Sequence, residues 1–222
     1  MGAMSSATRT RNRRGEGERL RGEIVSAAAD LLEATGDEGA VTLRAVARRV
    51  GITAPSIYAH FDGREAILEA VVAEGFSALA GRLSAASAAE DDPVARLRAG
   101  CAAYLAFASE QPQRYRVLFQ RRPAPDAPKL EQAESVEDIA GAEAFGWLVE
   151  AIRDCAEAGH STTPSPLDSA VQLWVALHGY ATLRAAANDF PWPDADALLD
   201  ALISRLAYID PPDLSKRRRR SP

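Results

Sequence analysis

Two cysteines and three histidines in 222 residues leave little material for a disulfide framework or a metal centre. Cys101 and Cys155 are too few and too far apart for either, and are expected to be small buried apolar side chains. His60, His160 and His178 form no cluster at metal-ligand spacing, and the chain has neither a G-x-S-x-G nucleophile motif nor a glycine-rich phosphate loop. No cofactor, metal or catalytic residue is therefore expected, and an enzyme on a helical scaffold is the remote reading. Long apolar runs are missing too. The longest uncharged stretch of apolar character, Ser169 to Leu183, has fifteen residues, short of the eighteen or so that a membrane span needs. Met1 to Arg14 carries charge without the apolar block of a secretory signal. A cytoplasmic protein with no membrane partner is expected. Alternating apolar and polar runs bounded by turn residues are absent, and there is no internal repeat.

What is present is the composition of a folded protein, with 47% hydrophobic and 26% charged residues. The length suits one large domain, or a small one joined to a medium one. Charge is unevenly spread: residues 1–75 carry 10 basic and 11 acidic groups, 76–210 carry 11 and 19, and 211–222 carry 5 and 1. Arg9, Arg11, Arg13, Arg14, Arg19 and Arg21 form a basic arm, and Arg44, Arg48 and Arg49 a second cluster. In a chain of net charge −5 a polyanion could be held only locally, with specific geometry.

Periodicity reads helix almost everywhere. Leu20, Ile24, Ala28, Leu31 and Leu32 make a stripe that ends before Gly36, giving a helix over roughly 18–35. Thr42 opens a second, with Leu43, Val46, Ala47 and Val50 on one face and Gly51 as terminator. Thr53 caps a third of about one and a half turns, with Ile57 and Phe61 turned inward. Asp62 and Glu65 are spaced as a capping box for a fourth that runs to about Ala85. Asp92 and Pro93 open a fifth bearing Val94, Leu97, Cys101, Tyr104, Leu105 and Ala108. Further helices are expected over 111–120, from about Lys129 to Ala158, at 167–188, and from Asp194 to about 209, separated by proline-rich loops. The fold class is all-α: an N-terminal three-helix helix-turn-helix domain plus a C-terminal helical bundle, about nine helices.

The segment Thr42 to Phe61, T-L-R-A-V-A-R-R-V-G-I-T-A-P-S-I-Y-A-H-F, places two short helices around a Gly-containing turn. That is the spacing of a helix-turn-helix, whose second helix enters the major groove. Leu43, Val46, Ala47, Val50, Ile52 and Ile57 would hold the pair to the first helix and leave the other face of the third free. On spacing alone an ordinary αα-hairpin fits as well. The residues themselves go further. From Arg19 to Ala78, with T-L-R-A-V-A, V-G-I, P-S-I-Y-A-H-F and D-G-R-E-A-I-L in register, the chain resembles the N-terminal domain of the tetracycline-repressor (TetR) family of bacterial transcriptional regulators. W-V-A-L-H-G, beginning at Trp174, resembles a recurrent helix-eight motif in one branch of that family.

The resemblance implies domains at 18–80, for DNA binding, and 81–209, for effector binding and dimerisation, flanked by a basic arm at 1–17 and a basic tail at 210–222. It implies that the Thr42 hydroxyl and amide meet a phosphate, that Arg44 points toward guanine, and that Thr53, Ala54, Pro55 and Ser56 open the helix nearest the bases. Tyr58, His60 and Arg64 match phosphate-contacting positions. Ala54 is short where other members carry a base-reading side chain, so specificity would lean on Arg44, the arm and DNA shape. The Arg9 to Arg14 segment either lies in the minor groove or is a solvated tail, and the Lys216 to Arg220 run reads as a loose tail.

In the second region, Leu167, Val171, Trp174, His178 and Ala181 form one stripe of a helix whose Leu173, Leu177, Tyr180 and Leu183 point elsewhere. One side can cover its own domain and the other a second copy, pairing with the last helix in a four-helix, two-fold interface where the family dimerises. Two recognition helices would then stand about 34–36 Å apart and read a palindromic double-stranded operator. Tyr104, Phe107, Tyr115, Phe119, Phe145, Trp147, Trp174 and His178 could wall a small-molecule site, although such residues also simply fill cores. The acidic surroundings favour an uncharged or cationic, hydrophobic effector. A repressor released by such a ligand is the expected function; a ligand-independent DNA-binding protein or an activator is the alternative.

Overall fold

The computed structural model describes residues 16–121, 141–187 and 189–209. Within them the chain forms nine α-helices, α1 (Glu16–Thr35), α2 (Leu43–Val50), α3 (Ala54–Ile57), α4 (Arg64–Ser87), α5 (Pro93–Glu110), α6 (Pro112–Gln120), α7 (Ala142–Glu157), α8 (Pro166–Ala186) and α9 (Ala195–Leu206), with one 3-10 turn at Glu38–Ala40. No strand occurs among the described residues. A single antiparallel bridge joins Ser161 to Ile209.

The chain divides into two compact units at Val71/Val72, inside α4 rather than after it. The reason lies in which turns of α4 bury what. Ile67, Leu68 and Val71 are buried in its first turns, whereas Leu79 and Leu83 belong to the core of the second unit, with Val72 and Phe76 packed against it.

In the first unit α1 packs on α2 and α2 on α3. Ile24, Val25, Ala28 and Leu32 of α1 are buried, as are Val46 and Ala47 of α2 and Ile57 and Phe61 at α3. Each large apolar side chain so buried stabilises by about 1.5–3 kcal/mol relative to exposure. Helix ends are set locally. Gly36 adopts φ 64° and donates its N–H to Leu32 O at 2.8 Å. Asp37 caps the 3-10 turn through Gly39 N, and Thr42 caps α2 through Ala45 N at 3.1 Å. α4 opens at Arg64, and the Glu65 carboxylate, assigned from sequence to a capping box, receives the Arg64 guanidinium at 2.5 Å.

In the second unit α5 is central, touching α6, α7, α8 and α9. Leu97, Cys101, Tyr104 and Phe107 of α5 meet Leu148, Ile152 and Cys155 of α7 and Leu173 and Leu177 of α8 in one core. Both cysteines are buried free thiols, and burial pushes Cys101 up to about 12 and Cys155 to about 11. Close approach of α5 and α7 depends on Gly100, where an added Cβ would lie 1.9 Å from Trp147 Cη2. After α7, the Ser161 hydroxyl donates to Ala207 O at 2.6 Å and ties the following loop to the end of α9.

Two expectations are corrected. A helix running unbroken from Lys129 to Ala158 does not occur, because Gly141 stands at φ 91°, a left-handed conformation that a right-handed helix cannot carry through. α7 begins after it, and the stretch 129–140 lies outside the described residues. Leu183, grouped from sequence with Leu173, Leu177 and Tyr180, is 57% exposed while those three are buried. The basic arm at 9–14, the loop 122–128 and the tail 210–222 also lie outside the described residues.

Candidate nucleic-acid interface and ligand cluster

The helix-turn-helix is built by Gly51. At φ 76° it ends α2, and the next residue, Ile52, donates its N–H to Ala47 O at 2.9 Å. The chain reverses within three residues and starts α3 with Pro55 in its first turn, where a missing N–H costs nothing. Ile57 and Phe61 then anchor α3 from beneath, with the Arg21 guanidinium 4.7 Å from the centre of the Phe61 ring.

Burial of one side leaves the other displayed. Thr42, Arg44, Thr53, Pro55, Ser56 and Tyr58 are exposed, Tyr58 at 60%, and Ala54 and His60 are half-buried. Thr53 and Ser56 share a hydroxyl hydrogen bond of 2.8 Å. The Thr42 hydroxyl accepts from Ala45 N and so keeps its own proton to give, but the Thr42 amide donates to Ala40 O at 3.0 Å. Of the basic groups, Arg49 is paired with Asp30 at 3.0 Å and Arg19 with Glu23 at 3.6 Å, both within or against α1, while Arg44 and Arg48 are exposed.

Arg64 stands apart from the others. Its Nε donates to Val41 O at 3.0 Å, its Nη2 to Glu38 O at 2.7 Å and its Nη1 to Glu65. The guanidinium thus clamps the first residue of α4 to the backbone immediately before Thr42. Sequence reasoning missed this because the carbonyl partners lie 23 and 26 positions away.

The second cluster brings together six of the eight aromatic positions singled out from sequence. The Tyr104 and Tyr115 hydroxyls are 2.8 Å apart, and His178 Nδ1 is 2.7 Å from Tyr115 Oη and 3.3 Å from Tyr104 Oη. Phe119 meets Tyr115 and His178 at ring-centre distances of 4.7 and 4.9 Å, Trp174 meets His178 at 6.1 Å, and Phe145 meets Trp174 at 6.0 Å. Burial pushes both tyrosine hydroxyls up, Tyr115 to about 12, and pushes His178 down, so all three groups are uncharged near neutral pH. Phe107 and Trp147 are not part of it: Phe107 is fully buried under Arg82, and Trp147 fills the space at Gly100. Phe76, the only aromatic residue of α4, joins the cluster edge-on to Phe119 at 5.4 Å and was not anticipated.

A helix-turn-helix displayed from a three-helix unit, followed by a helical bundle with a polar-aromatic cluster, defines a helical DNA-binding regulator. Comparison with known proteins gives the family. Residues 24–71 match the model described as bacterial regulatory proteins, tetR family, and residues 97–206 match the tetracyclin repressor-like C-terminal domain. The chain belongs to the TetR family of DNA-binding transcription regulators.

Among solved structures, a protein of unknown function from Rhodococcus sp. RHA1 is 26% identical, with a TM-score of 0.70 over 85% of this chain and 94% of that one. The transcriptional regulator FadR of Bacillus subtilis, solved in complex with stearoyl-CoA, shares the fold at a TM-score of 0.64 and 14% identity, over 83% of this chain and 96% of that one. The nucleoid occlusion factor SlmA of Vibrio campbellii is 30% identical over 98 residues, 44% of this chain and 50% of that protein. The chain spans about half the length of the curated relatives it matches. No helix among the described residues is long and apolar enough to cross a membrane.

Proposed function

We propose that the chain is a homodimeric repressor that binds a palindromic operator and is released by a small, largely hydrophobic effector. The observation that carries this reading is the outward display of Thr42, Arg44, Pro55, Ser56 and Tyr58 from two short helices whose opposite side is buried. The Thr42 hydroxyl and the Tyr58 phenol donate to phosphates, and His60, half-exposed at the end of α3, is placed to do the same. Arg44 reads a guanine edge. Ala54 and Pro55 offer only apolar contact, such as to a thymine methyl, and Ser56 with Thr53 discriminates little. Specificity therefore rests on Arg44 and on groove shape, with the basic N-terminal segment adding attraction.

Leu167, Val171, Val175 and Leu183 lie exposed on α8, an apolar surface that a lone subunit would leave in water. Pairing α8 and α9 with a second copy covers it and sets the two recognition helices one DNA turn apart. An effector seated at the Tyr104, Tyr115 and His178 cluster prefers one packing of the second unit. Through α4 it changes the spacing of the recognition helices, with a coupling of about 1–3 kcal/mol. The acyl-CoA of the Bacillus subtilis FadR structure is a precedent within this fold for a ligand with a long apolar body.

The test is fluorescence anisotropy of a labelled duplex taken from the DNA flanking the protein's own gene, at 0.15 M salt. Saturable binding that the scrambled duplex does not match, weakened several-fold in the Tyr58→Phe protein, supports the reading. Equal affinity for both duplexes overturns it.

A further inference from the structure

We infer that the subsite at His178 selects an uncharged hydrogen-bond acceptor of the carbonyl class, carried on an apolar or aromatic body, and meets it with the Nε2–H of a neutral imidazole. This deepens the effector reading and rests on it for its regulatory meaning. The argument begins with proton counting. Tyr104 is buried and Tyr115 is buried, so each hydroxyl has to spend its proton on an acceptor. Three contacts connect the two hydroxyls and His178 Nδ1. With Nδ1 as acceptor, the protons run from Tyr104 to Tyr115 and from Tyr115 to the imidazole, and every group is satisfied. A proton on Nδ1 reverses the chain and leaves the last tyrosine O–H without a well-formed hydrogen bond, because Thr182 Oγ1, the other side-chain acceptor facing Tyr115, makes none in the structure. The tyrosines therefore fix the tautomer, and His178 carries its single proton on Nε2.

The ring's surroundings define what that proton can meet. His178 is half-exposed, not sealed. Phe119 stands edge-on to it, Trp174 lies one turn earlier on α8, and Phe145 extends the apolar wall beyond Trp174. Both tyrosine hydroxyls have already given their protons, so the imidazole N–H is the one donor this triad has to offer a ligand. The described ring and hydrogen-bond partners of His178 include no arginine or lysine. A carboxylate would give up its hydration for a single neutral donor, and a cation would face a donor where it needs an acceptor. A ketone, ester or amide oxygen on a hydrophobic body satisfies both the polar and the apolar parts.

Two measurements on the full chain test this. In protein carrying nitrogen-15 histidine, long-range proton–nitrogen correlation reads the tautomer, with His178→Phe identifying the His178 signals. The Nε2–H form is expected at pH 7 in wild type and a mixture in Tyr115→Phe, where the donor into Nδ1 is gone. Tryptophan fluorescence then follows titration with acetophenone and with ethylbenzene, which differ in having C=O or CH₂ beside the ring. Acetophenone is expected to bind at least about tenfold more tightly, and His178→Phe to abolish that preference; if His178→Phe fails to fold by circular dichroism, His178→Leu serves. An Nδ1–H or doubly protonated ring at pH 7, equal affinity for the two probes, no binding of either, or a preference that survives loss of the imidazole overturns the proposal. Repeating the titration with labelled duplex keeps the two readings apart: a carbonyl preference with unchanged DNA affinity refutes effector release and leaves the subsite standing.

Discussion

His178 is pushed below its ordinary value of 6.5 by burial, and this has a consequence for stability with a definite sign. Above that value the ring is neutral in folded and unfolded chains alike and contributes no pH dependence. As pH falls through 6.5 the unfolded chain takes up a proton that the folded chain resists, so stability declines until the folded value is passed. Urea midpoints from pH 7.5 to 5 should fall in wild type more steeply than in His178→Phe; parallel slopes would contradict the assignment. Arg64 makes a second case. Removing its fork takes away one hydrogen bond from each of the Glu38 and Val41 carbonyls, Glu38 O keeping the one from Val41 N–H, and Arg64→Ala should cost about 1–2 kcal/mol in urea unfolding. Lys at the same position should recover little, since one ammonium cannot span both carbonyls. Arg44→Ala should do the opposite, leaving stability unchanged and relaxing the base preference at one operator position. The outward position of Arg44 was an implication of the resemblance to the TetR family, and the residue is exposed on α2. Sequence could not foresee the Arg64 clamp, which exists only once the 3-10 turn folds back on the start of α4.

Helix ends were legible at many but not all positions with a local signal: Thr53 makes no side-chain capping bond to α3, its hydroxyl pairing with Ser56, and Glu65 pairs with Arg64. Thr42, Asp92 and Asp194 cap α2, α5 and α9 through side-chain oxygens, as their residue types and spacing indicate. Gly51 and Gly100 show where such reading stops. An added Cβ at Gly51 meets nothing within 4 Å, and the position needs glycine only for its φ of 76°. Gly51→Ala should therefore cost about 1–2 kcal/mol through backbone strain alone. Gly100 sits in ordinary helix and needs glycine for space, because Trp147 occupies the place of a side chain. Gly100→Ala should destabilise by about 1–3 kcal/mol in wild type but by much less in a Trp147→Leu background, as a double-mutant cycle on urea midpoints would reveal. Nothing near Gly100 in sequence announces Trp147. The same separation explains why Phe107 and Trp147 were grouped with the ligand cluster and Phe76 was not: aromatic type was visible, but helix packing decided membership.

For the assembled molecule, the exposed apolar residues of α8 make the oligomeric state a prediction. Val175 is 58% exposed, so Val175→Glu should leave the subunit folded, convert a dimer to a monomer in sedimentation velocity, and abolish tight operator binding; a dimer that persists would place the interface elsewhere. The all-α class followed from periodicity alone, since no alternating run competes with it. The two short helices and their turn were legible because their determinants fall within twenty residues of contiguous sequence, Thr42 to Phe61, and the resemblance to the TetR family distinguished a helix-turn-helix from an ordinary αα-hairpin. What the proposed dimer would read is a question for its DNA. Selection of bound duplexes from a random pool tests the central claim most directly. A consensus of two inverted half-sites about one helical turn apart, lost as a pair in Val175→Glu, is the expected result. A single unrepeated half-site, or no enrichment above the starting pool, would contradict the account.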